Sequence, residues 1–262
     1  MTLFRILSSD WLKTKRTAVR LMIIAAPVVY ALLMILYFGH YQRTSDLQYK
    51  IYEVFFQVWT ILLPIAAGLL AGLMCSQEEH AGNFNGILGE TVPRAQIYIS
   101  KLLMLIIMTT ADIFASTCIL LFGMKAVLHI SDIQIGLFLE GALLAVAGSL
   151  ILYALHLFLG FAYGLGASIA AGGAGFLIAA IFGATTVGNR VWQFVPWAWP
   201  VRLSWIPEVF MPGINLPDSI VPSEFFSQQA LKGLVPSILV FILVTICSII
   251  WFYRWEGRKT YE

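Results

Sequence analysis

The sequence predicts an all-α integral membrane protein. It has six transmembrane helices, an N-terminal interfacial helix, a short amphipathic helix in a cytoplasmic hook, and a Trp/Pro-rich external segment that is re-entrant or interfacial. Three observations predict it. The 262 residues are 60% hydrophobic and only 11% charged, outside the range of soluble domains. Apolar runs of about 20 residues, enough to cross a bilayer as a helix, recur along the chain and make room for six spans. Basic residues gather before the first run and after the last, where they orient a membrane protein.

Residues 1–20 place Phe4, Leu7, Trp11 and Leu12 on one helical face and Arg5, Lys13, Lys15, Arg16 and Arg20 off it, the pattern of an interfacial helix. The transmembrane domain then covers 21–253. Its first span is Leu21 to Phe38, kinked at Pro27, and with no small-residue cleavage site after it this run reads as a retained anchor. A polar external loop, 39–53, precedes a second span from about Val54 to Met74, interrupted at Pro64. The third runs from Lys101 or Leu102 to Met124, and the fourth from Ile135 or Gly141 to Leu159. A tight corner from Gly160 to Gly164 separates the fourth from a fifth ending near Gly183. The sixth, Val235 to Tyr253, carries no charge and leads into the basic tail 254–262 with Arg254, Arg258 and Lys259. Six spans put both termini on one side. On that side, with the hook, lie ten Lys and Arg against six on the other, so both termini and the hook are expected to be cytoplasmic.

The hook, 77–94, is the polar stretch between the second and third spans. Phe84, Ile87 and Leu88 fall at i, i+3 and i+4, so a helix of about two turns there shows one narrow apolar face. Gly89 is placed to end it, and Thr91 with Pro93 to start the next helix. The acidic pair Glu78 and Glu79 precedes it. Such a segment can be offered to a soluble partner, or can be an ordinary loop with an interfacial helix.

Within the spans, Asp112 lies near the middle of the third, where an ionised side chain costs about 2.5 to 3.5 kcal/mol. It marks either a substrate path or a structural hydrogen bond with Thr109, Thr110, Ser116 or a neighbouring helix. Glu140 and His156 lie toward opposite ends of the fourth span, where interfacial placement accounts for both, and Glu140 is also a candidate for the substrate path. Gly160, Gly164, Ser168 and Gly172 recur every four residues, and Ala167, Ala171, Gly175, Ala179 and Gly183 form a second stripe. Small stripes let helix backbones approach, within one subunit or across a dimer. The external segment, 184–232, holds Trp192, Trp197, Trp199 and Trp205 among six prolines. Its start is expected on or in the outer leaflet, as an aromatic belt or as an entry element for an amphiphilic substrate.

Several classes of activity are excluded or disfavoured. A net charge of +2 gives no pull toward nucleic acid, and the three cysteines have neither disulfide nor zinc spacing. No Gly-x-x-x-x-Gly-Lys-Ser/Thr loop, His-Glu-x-x-His pair or Gly-x-Ser-x-Gly elbow occurs, so no nucleotide pocket or hydrolytic centre of those kinds is encoded. A secondary transporter is disfavoured because Asp112 is the only well-buried charge expected and no inverted repeat is evident.

At Glu79-His80-Ala81-Gly82-Asn83-Phe84, then Leu88, Pro93, Arg94 and Lys101, the sequence resembles the first cytoplasmic loop of type-2 ABC exporter permeases. Six spans, an N-terminal interfacial helix and a large outer segment before the sixth span extend the likeness over the chain. Within that group it looks most like the permease subunits of lantibiotic-immunity transporters, through this loop and the segment Trp11-Leu12-Lys13-x-Lys15-Arg16. The resemblance implies a permease of the bacterial cytoplasmic membrane without enzyme activity or cofactor of its own. ATP and Mg would bind a separate ATPase, in two copies. Gly82 to Gly89 would enter that subunit as a coupling helix, with Glu78, Glu79, Gly82, Asn83, Phe84, Ile87, Leu88, Pro93 and Arg94 forming the contact. A second permease, identical or homologous, would pair with this one in the lipid. The cargo implied is an amphiphilic antimicrobial peptide; another cargo (small-molecule antibiotic, lipid or ion) or a non-pumping membrane sensor are the alternatives. His80-Ala81 departs from the charged or hydroxyl residues common there, which leaves the start of the coupling helix open.

Overall fold

The structure is a computed structural model describing residues 3–42, 44–89, 92–214, 217 and 221–258. Among these, six helices are long and apolar enough to cross a membrane, and no strand occurs. The chain is a multi-pass, all-α membrane protein. A short helix α1 (Leu3–Lys13) precedes the first span, α2 (Ala18–Gly39). The second span is α3 (Leu47–His80), followed by a single turn α4 (Asn85–Leu88) and the third span α5 (Arg94–Ala126). The fourth is α6 (Ile135–Tyr163); the fifth is α7 (Leu165–Ile178), extended by a π-helical turn to Gly183. Short 3-10 turns lead into α8 (Trp199–Trp205), and the last span is α9 (Pro222–Arg254).

The helices outrun the apolar runs that predict them. α3 begins at Leu47, not near Val54, because its polar first turn is satisfied by the α5–α6 connection: the Gln134 amide donates to Gln48 Oε1 at 2.8 Å. α9 begins at Pro222, so the external segment is shorter than 184–232, and Thr91 and Lys259 lie outside the described residues.

α3 and α6 form the centre, with α7 against α3, α2 against α5, and α9 against α6. The α3–α7 contact is where the glycines matter. A Cβ on Gly68 would sit 2.5 Å from the Ser168 carbonyl oxygen, and one on Gly172 would sit 2.7 Å from that of Pro64, so the two backbones touch. Ser168 Oγ donates across the same seam to the Gly68 carbonyl at 2.7 Å. The small stripe therefore packs within the subunit at Gly172, and Gly175 closes on Trp197. Gly160 belongs to α6, where it lies against Cys75 of α3. The corner is Gly164 alone, with φ of +92°, a conformation that L side chains rarely adopt.

His156 is a correction to the interfacial expectation: it is completely buried, on the seam with Ser168, since α6 runs on beyond it to Tyr163.

The Trp/Pro-rich segment also departs from an aromatic belt. Trp192 and Trp199 are buried, and Trp197 and Trp205 partly so, because the segment wedges between helices instead of lying across their ends. Its deepest point meets Gly148, mid-way along α6, where a Cβ would sit 2.8 Å from the Pro200 nitrogen. Tyr52 Oη donates to the Ser204 carbonyl at 2.6 Å and Trp199 Nε1 to that of Gln193 at 3.0 Å. The Tyr52 phenol and the Trp199 indole, each satisfied by a backbone carbonyl, hold a polar-backboned segment among apolar helices.

Candidate functional site

The sequence places most of its unusual polar chemistry around the hook, and the structure gathers it at one end of the bundle. Lys101, two turns into α5, is 2% exposed. Its Nζ lies 2.7 Å from Glu78 Oε1 and 3.4 Å from Asp10 Oδ1. Lys13 Nζ reaches the same Glu78 oxygen at 2.8 Å, and Ser100 Oγ donates to Asp10 Oδ2 at 2.8 Å. Two ammonium groups and two carboxylates thus neutralise each other, which is the condition for burying charge. The network ties α1, the end of α3 and the start of α5 into one body. A cavity of about 130 Å³ beside it is lined by Arg5, Asp10, Lys13, Glu78, Ile87 and Lys101.

Beyond His80 the chain reverses on three successive positive-φ residues, Gly82, Asn83 and Phe84. The Asn83 amide donates to the Glu79 carbonyl at 2.7 Å and the Phe84 amide to the Glu78 carbonyl at 3.3 Å, closing the free carbonyls of α3. A phenylalanine in the left-handed region costs about 1 to 3 kcal/mol and persists only where its surroundings hold it. They do: Phe84 is fully buried, edge-on to Trp255 with ring centres 4.9 Å apart, near Phe161, and with the Arg258 guanidinium 5.5 Å over its face.

This revises the hook. Its helix is one turn, not two, and Phe84 and Ile87 face the interior of the helix bundle, with Leu88 half-buried. They form the buried root of the hook and not an apolar face turned outward. The exposed tip is Gly82, Asn83, Asn85 and Gly86, and a Cβ added at Gly86 meets nothing within 4 Å.

The C-terminal end closes over the same place. Arg94 Nη1 donates to the carbonyls of Tyr253 at 3.1 Å and Trp255 at 2.5 Å, capping α9, and Arg258 pairs with Glu79. Pro93, exposed, precedes the first turn of α5. Both α1 and the C-terminal segment therefore meet at the hook end.

The expected substrate-path residues are not brought together. The inserted tryptophans lie toward the other end, where Trp192, Trp205, Arg202 and Glu208 line a cavity of about 120 Å³. Glu140 lines a separate groove with Phe114 and Leu143. Asp112 stands half-buried on α5, its Oδ1 without a partner among the described residues. No group of three metal-ligating side chains occurs among those residues.

The model of the ABC-2 family transporter protein matches residues 6–184, more than half of the chain. The chain belongs to the ABC-2 transporter family. It is thus a membrane component of an ABC transporter, and the match spans α1 to the end of the fifth span, including the hook and its ion network. The wedged segment, α8 and α9 of this ABC-2 protein lie beyond the matched region. Neither curated proteins nor solved structures give a match.

Sequence reasoning missed Asp10, Trp255 and the role of Arg258. Asp10 sits off the apolar face of α1, and the tail reads as an orienting basic patch. Partners 91 and 179 residues away in the chain leave no local periodicity.

Proposed function

We propose that this chain is the permease subunit of an ABC exporter that expels lantibiotic-like, amphiphilic antimicrobial peptides from the bacterial membrane, driven by ATPase subunits docked on the hook. On this reading both termini are cytoplasmic, ATP and Mg bind the partner ATPase, and a second permease completes the transporter. The observation that carries it is the exposed, side-chain-poor tip Gly82-Asn83 and Asn85-Gly86 on a root made rigid by Phe84, Ile87 and the Lys101 network. A small polar tip on a stiff root transmits a push instead of absorbing it. The peptide cargo is supported by the resemblance at the hook and at Trp11 to Arg16.

The test uses Gly86→Trp, which finds open space in this chain and should leave its fold unchanged. Co-expressed with its ATPase, the variant should reach the membrane at normal levels yet lose most co-purifying ATPase. Normal co-purification would remove the tip as the docking point. For the cargo, cells carrying the complete transporter should survive lantibiotic concentrations that kill cells carrying the Gly86→Trp form; equal survival would eliminate that cargo.

A further inference from the structure

Three residues of the hook are answered by the same few residues at the end of α9. Glu79, ahead of the reversal, pairs with Arg258; Phe84, at its centre, packs edge-on to Trp255; Arg94, at the start of α5, donates to the carbonyls of Tyr253 and Trp255. The grip continues upward, with Phe252 stacked on Trp255 and set 4.9 Å from Phe161. Gly164 completes it: a side chain at the α6–α7 corner would fall on the Arg258 guanidinium, so the corner leaves room for that arginine.

Along the rest of its length α9 packs by one face, on α6 and, at Gly233, on Leu203 and Trp192, and leaves the other face open. Its apolar window is the least buried of the six spans, and Leu239, Leu243, Ile246 and Ile250 are all exposed. A helix tied by charge and stacking at one end, with one face open along its flank, has room to follow the tied end. Hook movement therefore reaches the end of α3 and the start of α5 along the chain, through Ala81 and Pro93, and reaches α9 only through side chains.

We infer that Trp255 and Arg258 are positioning residues of the transport cycle, forming a strap that makes α9 move with the hook. This rests on the hook being the driven element, as proposed above. Without the strap, the ATPase still binds the tip and moves α5, while α9 stays behind.

Two measurements test it. The first needs no ATPase: the chain alone, in lipid nanodiscs, is followed by hydrogen exchange at the amides of Phe252 to Trp255. Glu79→Arg should speed exchange about tenfold, and the swapped pair Glu79→Arg with Arg258→Glu should restore it. Unchanged exchange in the single variant, or no recovery in the swapped pair, overturns the strap.

The second uses the complex with its ATPase, with Cys118→Ala and Cys247→Ala clearing the exposed thiols and spin labels placed pairwise at Ala81, Ile250 and Leu62, all exposed and outside the tip. On vanadate trapping the Leu62–Ile250 distance should change while Ala81–Ile250 stays constant. In Trp255→Ala with Arg258→Ala, at equal ATPase content, the Ala81–Ile250 distance should change instead. A wild-type Ala81–Ile250 distance that changes on trapping overturns the inference. A chain that passes the exchange test but co-purifies with no ATPase overturns the functional reading and leaves the strap standing.

Discussion

The two ends of the bundle treat buried charge in opposite ways. At the hook end Lys101, Glu78, Asp10 and Lys13 are paired, and an ammonium that is 2% exposed has two carboxylates for it, at 2.7 and 3.4 Å. At the other end Arg202 and Glu208 line one cavity, yet Arg202 Nε, Trp205 Nε1 and Glu208 Oε2 are buried without partners among the described residues. Burial pushes the Glu208 carboxyl up to about 8, nearby Glu53 adds to this, and Arg202 offsets part of it. A satisfied network has one arrangement and resists deformation, whereas unpaired polar groups cost stability and make rearrangement cheap. The first suits an end that receives force. The second suits an end that changes shape.

The comparison breaks most severely if the network is opened. Lys101→Met leaves two buried carboxylates with only the half-exposed Lys13 to neutralise them, and removing one partner of a buried pair costs about 3 to 5 kcal/mol. Thermal inactivation in detergent should show a large drop, with α1 detaching from α5 and becoming open to proteolysis. A midpoint equal to wild type would mean that the network is not what joins these helices.

Phe84→Ala should come next. Losing a buried phenylalanine costs about 3 kcal/mol or more, and alanine keeps the Cβ that strains the left-handed position, so no relief offsets the loss. The loss should concentrate at the hook, seen as faster hydrogen exchange from Gly82 to Leu88 with the spans unaffected. Uniform destabilisation would contradict a hook that is an independent unit on a rigid root.

Glu208→Gln should have the opposite sign and, at pH 5, the smallest effect of the three. Glu208 keeps its proton up to about pH 8 when folded, against an ordinary value of 4.5, so the wild-type chain loses stability as pH rises from about 4.5 through 8. The neutral amide of the variant removes that loss. Its melting midpoint should exceed wild type at pH 9 and equal it at pH 5; a lower midpoint at pH 9 would show that Glu208 is ionised and paired.

Much of this architecture is legible in the chain. Each apolar run predicts a span because a bilayer demands about 20 apolar residues whatever their neighbours. The hook is legible as a polar interval with a short apolar stripe, and its place after α3 is correct. The face of that stripe is not. Periodicity says that Phe84 and Ile87 share a side, but only the arrival of Trp255 and Arg258 decides that this side meets the permease itself. The tryptophans mislead for the same reason: Trp prefers a headgroup interface, and it also prefers any pocket with an apolar wall and a carbonyl for its N–H. Gly148, Gly175 and Gly233 supply the room, and their distance along the chain hides it.

By itself the sequence determined the solvent this protein lives in, the number of its crossings and the position of its polar hook, because hydrophobicity and its period are local quantities set by each segment against its surroundings. The tertiary structure alone decided which charges neutralise one another, that Phe84 is a root and not a tip, and that the last helix is tied to the hook. Those outcomes depend on residues far apart in the chain reaching the same few ångströms, where pairing and packing are settled by geometry that no single stretch carries.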